Sequence, residues 1–288
     1  MRNFHQSVLT RQVLEFLKIE KGEKYIDATI GGGGITAEIL ARGGRVLGID
    51  WDEDAIRFVQ DKFEKEIGKG LLILEKENFV KIGQLAKKHN FTNCAGIIFD
   101  LGISGYQLSK ATRGFSFGKP AVLDMRMSKK LAVTAKDLLA VLSQNQLTEL
   151  FSKFSQSKAA AVAAEIVKVR RKIPITTTTQ LANIVTRVVK ATKIHPATKV
   201  FLALRTAVNF ELENLRQALP QALLTISEKG RLAVISFHSA EDVIVKDFFK
   251  KTPSLAVLTS KPVRPPIAEI LKNPQSRSAR LRVAEKKL

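Results

Sequence analysis

Over the first hundred residues, short apolar runs alternate with stretches whose apolar positions recur every three or four residues. Residues 24–30 (KYIDATI) form one such run, which leads into four consecutive glycines, Gly31 to Gly34. Residues 35–42 have helical composition and stop at Gly43-Gly44, a pair suited to a helix C-cap. Residues 45–49 (RVLGI) read as a second strand ending at Asp50. Residues 52–67 read as a helix with Ile56, Val59, Phe63 and Ile67 along one side. A third strand is expected at 71–74, a helix at 80–88, and a fourth strand at 95–99 (AGIIF), ending at Asp100. Strands that are apolar almost throughout, separated by helices, predict a parallel sheet covered on both faces.

The pattern then changes. From Thr134 to about Lys193 no segment alternates like a strand. Thr134, Ser143 and Ser157 are each placed to cap a helix, at 135–142, 144–154 and 158–171. Ile173-Pro174-Ile175 and the four threonines Thr176 to Thr179 break the helical run before another helix at 180–190. The region reads as a helical insertion. A long helix at 197–219 and another at 221–228 precede a fifth strand at 232–237 (LAVISF) and a helix at 241–250. Two last strands are expected at 256–259 and 279–284. The domains expected are residues 1–108 with 200–288, interrupted by 109–199.

Charge adds a partner to this picture. Of the 288 residues, 47 are Lys or Arg and 27 are Asp or Glu, a formal net charge of +20. Residues 153–205 hold eleven basic residues and one acidic residue, Glu165; residues 261–288 hold eight basic and two acidic. Such clustering points to a polyanion, RNA or DNA, bound away from the glycine loop. No stretch of about 18 apolar residues suggests a membrane span. With Cys94 the only cysteine, an intramolecular disulfide is excluded and a cytoplasmic location is expected. The four histidines are scattered, and no Cys/His cluster has metal-ligand spacing, so no metal is expected.

The candidate chemistry sits where ligands bind open parallel sheets, at the carboxyl ends of the strands. The glycine loop lets backbone approach a ligand closely. Asp50, 19 residues beyond Gly31, can accept hydrogen bonds from both hydroxyls of a ribose. Gly31-x-Gly33-x-x-Thr36 nearly matches a dinucleotide fingerprint, so NAD is one reading. S-adenosylmethionine (SAM) is the other, and Asp27 favours it. An acid at the end of strand one suits an amino group and is out of place in a dinucleotide fold.

Further segments carry a resemblance that runs from end to end of the chain. They are His5-Gln6-Ser7-Val8-Leu9, residues 25–34, Gly48-Ile49-Asp50-Trp51-Asp52, Asp100-Leu101-Gly102-Ile103-Ser104, Gln107-Leu108 and Arg113-Gly114-Phe115-Ser116-Phe117. After these come Leu123-Asp124-Met125-Arg126-Met127, His195-Pro196-Ala197-Thr198, residues 203–209 with Glu211-Leu212-Glu213, Ile235-Ser236-Phe237-His238-Ser239, Asn273-Pro274 and Arg277-Ser278. In these segments the chain resembles the RsmH (MraW) family of 16S ribosomal RNA cytosine-N4 methyltransferases.

The resemblance implies an α/β fold: a class I SAM-dependent methyltransferase, Rossmann-like with a mostly parallel sheet, carrying an inserted all-helical domain for RNA recognition. It implies SAM as cofactor and the small ribosomal subunit as partner. By position, the family's SAM contacts fall on Gly33, Gly34, Ile35, Asp50, Phe79, Asp100 and Gln107, beside Gly31 and Asp27 read from the sequence itself. The family usually has His where Ile35 stands, and Ser-Ser-Pro-Gln where Ser104-Gly105-Tyr106-Gln107 stands. A protein that binds SAM and ribosomal RNA without ordinary methyl transfer is therefore the alternative. An acceptor for the amine proton is expected in the loop after strand four, with Asp100 and Ser104 as candidates. Arg113, Arg126, His195, Arg205, His238 and Arg277 are candidates for contacts to RNA.

Overall fold

The computed structural model describes residues 7–103, 105–154, 157–190 and 194–288. The chain divides into two compact units, Met1–Ser104 with Leu212–Leu288, and Gly105–Glu211. In chain order the first unit opens with α1 (Thr10–Leu17), β1 (Lys24–Asp27), α2 (Gly34–Ala41), β2 (Arg45–Asp50), α3 (Glu53–Lys62), α4 (Glu64–Gly68), β3 (Leu72–Lys76), α5 (Ile82–Lys88) and β4 (Cys94–Asp100). The second unit holds α6 (Gly105–Ser109), α7 (Ala135–Val141), α8 (Gln144–Lys153), α9 (Ala159–Arg170), α10 (Thr178–Val188) and α11 (Ala197–Val208). Then follow α12 (Glu211–Thr225), β5 (Ile226–Ser236), α13 (Ser239–Lys251), β6 (Leu255–Val257), α14 (Ile267–Lys272) and β7 (Arg280–Lys286).

The described strands make one seven-stranded sheet in the order β3-β2-β1-β4-β5-β7-β6. Strands β1 to β5 pair in parallel, and β7 runs antiparallel to both β5 and β6. Alternation along each strand divides the core in two. Ile26, Leu47, Ile49, Ile97, Phe99, Leu232 and Val234 are buried with residues of α5, α12 and α13. Tyr25, Val46, Ile98, Ala233 and Ile235 are buried with α1, α2 and α3. Each such side chain contributes about 1.5–3 kcal/mol when fully buried, and the period of two explains why both faces must be covered.

Four expectations need correction, the last of them in the second unit. The helix expected over 52–67 breaks at Phe63, which serves as C-cap of α3 and N-cap of α4. The expected long helix at 197–219 is interrupted at Phe210, whose φ of 52° cannot continue a right-handed helix. The following helix does not stop before Pro220 or run on to 228; α12 passes through the proline and ends at Thr225, and β5 starts at once. Burial of Leu215, Ala218, Leu219 and Ala222 outweighs the proline's cost of about 3 kcal/mol. The Gln221 side-chain amide also donates to the Gln217 carbonyl.

In the second unit, capping boxes start α7 (Thr134 with Asp137), α8 (Ser143 with Gln146) and α10 (Thr177 with Gln180). The first two caps are those expected from sequence. Ser157 is not the third: α9 begins after Lys158, whose φ is 57°.

Candidate active site

The carboxyl ends of β1, β2 and β4 carry Asp27, Asp50 and Asp100, and the backbone ties their loops together. The Ala28 N–H donates to the Ile98 carbonyl and the Ile30 N–H to the Ile49 carbonyl, so the turn after β1 lies between its two neighbours. Thr29 Oγ1 accepts from the Asp100 N–H at 2.6 Å. The Asp50 carboxylate is aimed by two backbone donors, Gly31 N–H at 3.0 Å and Asp52 N–H at 2.9 Å. The expected partnership of glycine loop and second acid is thus a direct hydrogen bond.

Two glycines are needed for close approach. Gly33, at φ 68°, would place a Cβ 2.6 Å from the Phe63 ring, and Gly34 would place one 2.3 Å from Ser7 Oγ. Gly33 is the N-cap of α2, so the loop delivers the first turn of that helix, with its N–H groups that lack intrahelical acceptors, to the sheet edge. Ile35 belongs to that turn, but its side chain is buried in the core beneath it. Only its backbone can face a ligand.

Asp27 is the most perturbed group of the site. It is 2% exposed, accepts from Thr36 Oγ1 at 2.8 Å, and accepts weakly from the Thr29 N–H at 3.3 Å. Burial, reinforced by the negative charges of Asp100 and Asp50, outweighs those hydrogen bonds and pushes its carboxyl up to about 7. Thr29, Thr36, Ser7 and Lys62 are the residues missed by sequence reasoning. Lys62, at the end of α3, donates to the Gly32 carbonyl at 3.0 Å and lies 4.8 Å from the Phe63 ring centre. Thr36 stands where the dinucleotide fingerprint has its last small residue, and Ser7 and Thr29 lie in segments that carry the family resemblance; Lys62 had no such signal.

Phe79 follows β3 in a short 3-10 turn capped by Asn78, and packs edge-on against Phe99 with ring centres 5.5 Å apart. His238 ends β5 and is the N-cap of α13, where Nδ1 accepts from the Glu241 N–H at 3.3 Å. It is 8% exposed. Arg277 is exposed in the turn before β7. Ser104 lies outside the described residues.

Within the second unit, Gln107 is buried on α6. Arg113 donates to the Arg126 and Met127 carbonyls, and Arg126 forks onto Asp124 at 2.7 and 2.9 Å. Arg205 is paired twice with Glu211, both contacts at 2.8 Å. Asn209 accepts from the Met127 N–H and donates to the Met125 carbonyl, fastening the Leu123–Met127 segment to the end of α11. All three arginines are therefore engaged within the second unit, by loop carbonyls, Asp124 and Glu211.

Three carboxylates at neighbouring strand ends repel a pyrophosphate, and they attract a ligand that carries an ammonium and a sulfonium. This donor set fits SAM: Asp50 for the ribose hydroxyls, Asp27 for the amino group, glycine backbone for close contact. The dinucleotide strand order 3-2-1-4-5-6 is also absent, because an antiparallel β7 lies between β5 and β6. Together the sheet and its acidic edge define a class I SAM-dependent methyltransferase.

Comparison of the whole chain narrows the class. Residues 2–287 match the MraW methylase family, and the chain belongs to it. It is 41% identical to the ribosomal RNA small subunit methyltransferase H of Desulfotalea psychrophila, over 98% of each chain. It is 39% identical to the protein of the same name from Pseudothermotoga lettingae, with both chains covered completely. A solved rRNA methylase from Streptococcus thermophilus is similar at a TM-score of 0.47 and 11% identity, over 96% of this chain and 95% of that one.

Proposed function

We propose that this protein methylates the exocyclic N4 of a cytosine in small-subunit (16S) ribosomal RNA. The carrying observation is the acidic strand edge, with Asp50 bonded to the glycine loop, in a chain that matches the family from end to end. Gly31, Gly33, Gly34, the backbone of Ile35, Asp50 and Phe79 would hold SAM, with Asp27 at its amino group. When bound, SAM supplies a methyl group made electrophilic by sulfonium.

Transfer is an in-line displacement, so the chain's main contribution is alignment. The cytosine amine is a weak nucleophile because its lone pair is delocalised into the ring. An acceptor on one N4 proton localises that pair as the N–C bond forms and the S–C bond breaks, and then takes the proton. We assign that acceptor to the loop opened by Asp100, with Asp100 and Ser104 as its candidates. The basic blocks and Arg277 supply the phosphate-binding surface. Action on ribosomal RNA implies a cytoplasmic protein, and no described helix is long and apolar enough to cross a membrane.

The test is nucleoside mass mapping of 16S RNA from cells with and without the gene. Loss of one N4-methylcytidine mark, restored by the wild-type gene but not by Asp100→Ala, is expected. An unchanged modification map refutes the assignment. SAM binding without transfer to small-subunit particles would instead favour a protein that kept the site for binding alone.

A further inference from the structure

The second unit holds an aromatic pair that the strand-edge site does not use. The rings of Phe117 and His195 are stacked, with centres 4.4 Å apart and planes 23° from parallel. Phe201, on α11, meets Phe117 edge-on at 5.2 Å. Phe117 is half-buried, whereas His195 is exposed. The imidazole is therefore supported on one face while the residue as a whole stays exposed.

Its orientation is fixed twice over. Besides the stack, Nδ1 accepts from the Ala197 N–H at 3.2 Å, at the start of α11. That bond leaves Nδ1 without a proton and places the ring N–H on Nε2. The ring is a flat surface held in place before any partner arrives, with a donor on its rim.

The electrostatic setting selects the partner. Residues 105–211 carry eighteen Lys and Arg against five Asp and Glu, a larger surplus than the rest of the chain. Lys119, two residues beyond Phe117, and Lys190 are both exposed. A cationic surface with a braced, exposed aromatic ring is how proteins hold unpaired nucleotides: the charges follow the backbone and the ring stacks a base. A duplex keeps its base faces stacked internally and cannot offer one.

We propose that His195, backed by Phe117, is a stacking platform for one unpaired base of the RNA substrate. This rests on the ribosomal RNA reading above and adds to it a particular contact, made through a base face. Loss of a base–aromatic stack corresponds to about 1–3 kcal/mol, or about 5- to 150-fold in affinity.

The experiment uses a single-stranded 12-nucleotide RNA with 2-aminopurine at its centre, and the same sequence as a duplex. The wild-type protein is expected to bind the single strand more tightly and to quench its fluorescence. His195→Asn keeps a capping acceptor for α11 but removes the ring; it should lose the quench and bind about 5- to 150-fold more weakly. His195→Phe should keep the quench, and Phe117→Leu, which removes the brace, should reduce it. Circular dichroism and SAM binding, both unchanged in these variants, show that they are folded. No quench by the wild-type protein, or equal quench and affinity in His195→Asn, overturns the platform. Methyl incorporation into small-subunit particles is read separately, so its absence in the wild type would count against the methyltransferase reading instead.

Discussion

Replacing Asp27 with Asn should make the protein more stable and a poorer binder of SAM. Folded, the Asp27 carboxyl holds its proton to about pH 7, because burial raises it from the ordinary 3.8. The group therefore favours folding fully below pH 3.8, and that stabilisation is lost as pH rises through 7, at about 1.4 kcal/mol per pH unit. Across this window the loss approaches about 4 kcal/mol, an upper bound because the site can relax. Asn has nearly the same shape, can accept from the Thr29 N–H, and carries no charge. At about 2 °C per kcal/mol for a chain of this size, Asp27→Asn should raise the melting temperature by several degrees at pH 8 and by roughly 40% of that at pH 5. With saturating S-adenosylhomocysteine, which keeps the amino group, the order should reverse. The wild type gains the partner its buried carboxylate lacks, and a bound ligand stabilises by RT ln(1 + [L]/Kd). The variant should bind at least about 30-fold more weakly, the lower end for truncating a buried charge pair. Differential scanning calorimetry at the two pH values, with and without ligand, reads all four quantities. If Asp27→Asn melts below the wild type at pH 8 without ligand, or binds as tightly as the wild type, the assigned role of the carboxylate is wrong.

Lys62→Met should weaken SAM about 2- to 10-fold in titration calorimetry by releasing the Gly32 carbonyl, with little change in melting temperature. Gly33→Ala should nearly abolish binding, since the new Cβ meets the Phe63 ring at 2.6 Å in a left-handed backbone. Adding Phe63→Leu should relieve the contact but not the backbone strain, so equilibrium dialysis should show recovery only in part. Arg205→Ala should destabilise the protein by about 3–5 kcal/mol in urea, because it leaves Glu211 half-buried without its bidentate partner. An unchanged urea midpoint with a reduced salt slope of RNA binding would mean that Arg205 contacts phosphate.

The sheet was legible because its strands are buried on both faces. Runs such as residues 95–99 admit no other reading once glycine loops and amphipathic stretches flank them. Helix boundaries were less so, and for local reasons. Phe63 and Phe210 look like ordinary apolar positions on a helix, and nothing in residue type announces that one ends α3 or that the other adopts a positive φ. Pro220 is a helix breaker by intrinsic preference, and burial on both sides of it overrides that preference. At the site, the acids at strand ends and the glycines were visible because their chemistry is unusual there. Thr29 and Lys62 were not, since each acts across the chain on a backbone group. The arginines show the same limit: a basic side chain reads alike whether it binds phosphate or, as Arg113 does, the carbonyls of a nearby loop.

The strand pair β4–β5 has a further consequence during synthesis. About 125 residues separate Asp100 from Ile226, so at 5–20 residues per second β4 emerges roughly 6–25 s before its neighbour. For that interval the nascent chain has β1 on one flank of β4 and an open, apolar backbone edge on the other, the kind of edge that recruits foreign strands. Slowing translation within the helical insertion should therefore raise aggregation or chaperone occupancy, whereas slowing it after β7 should not.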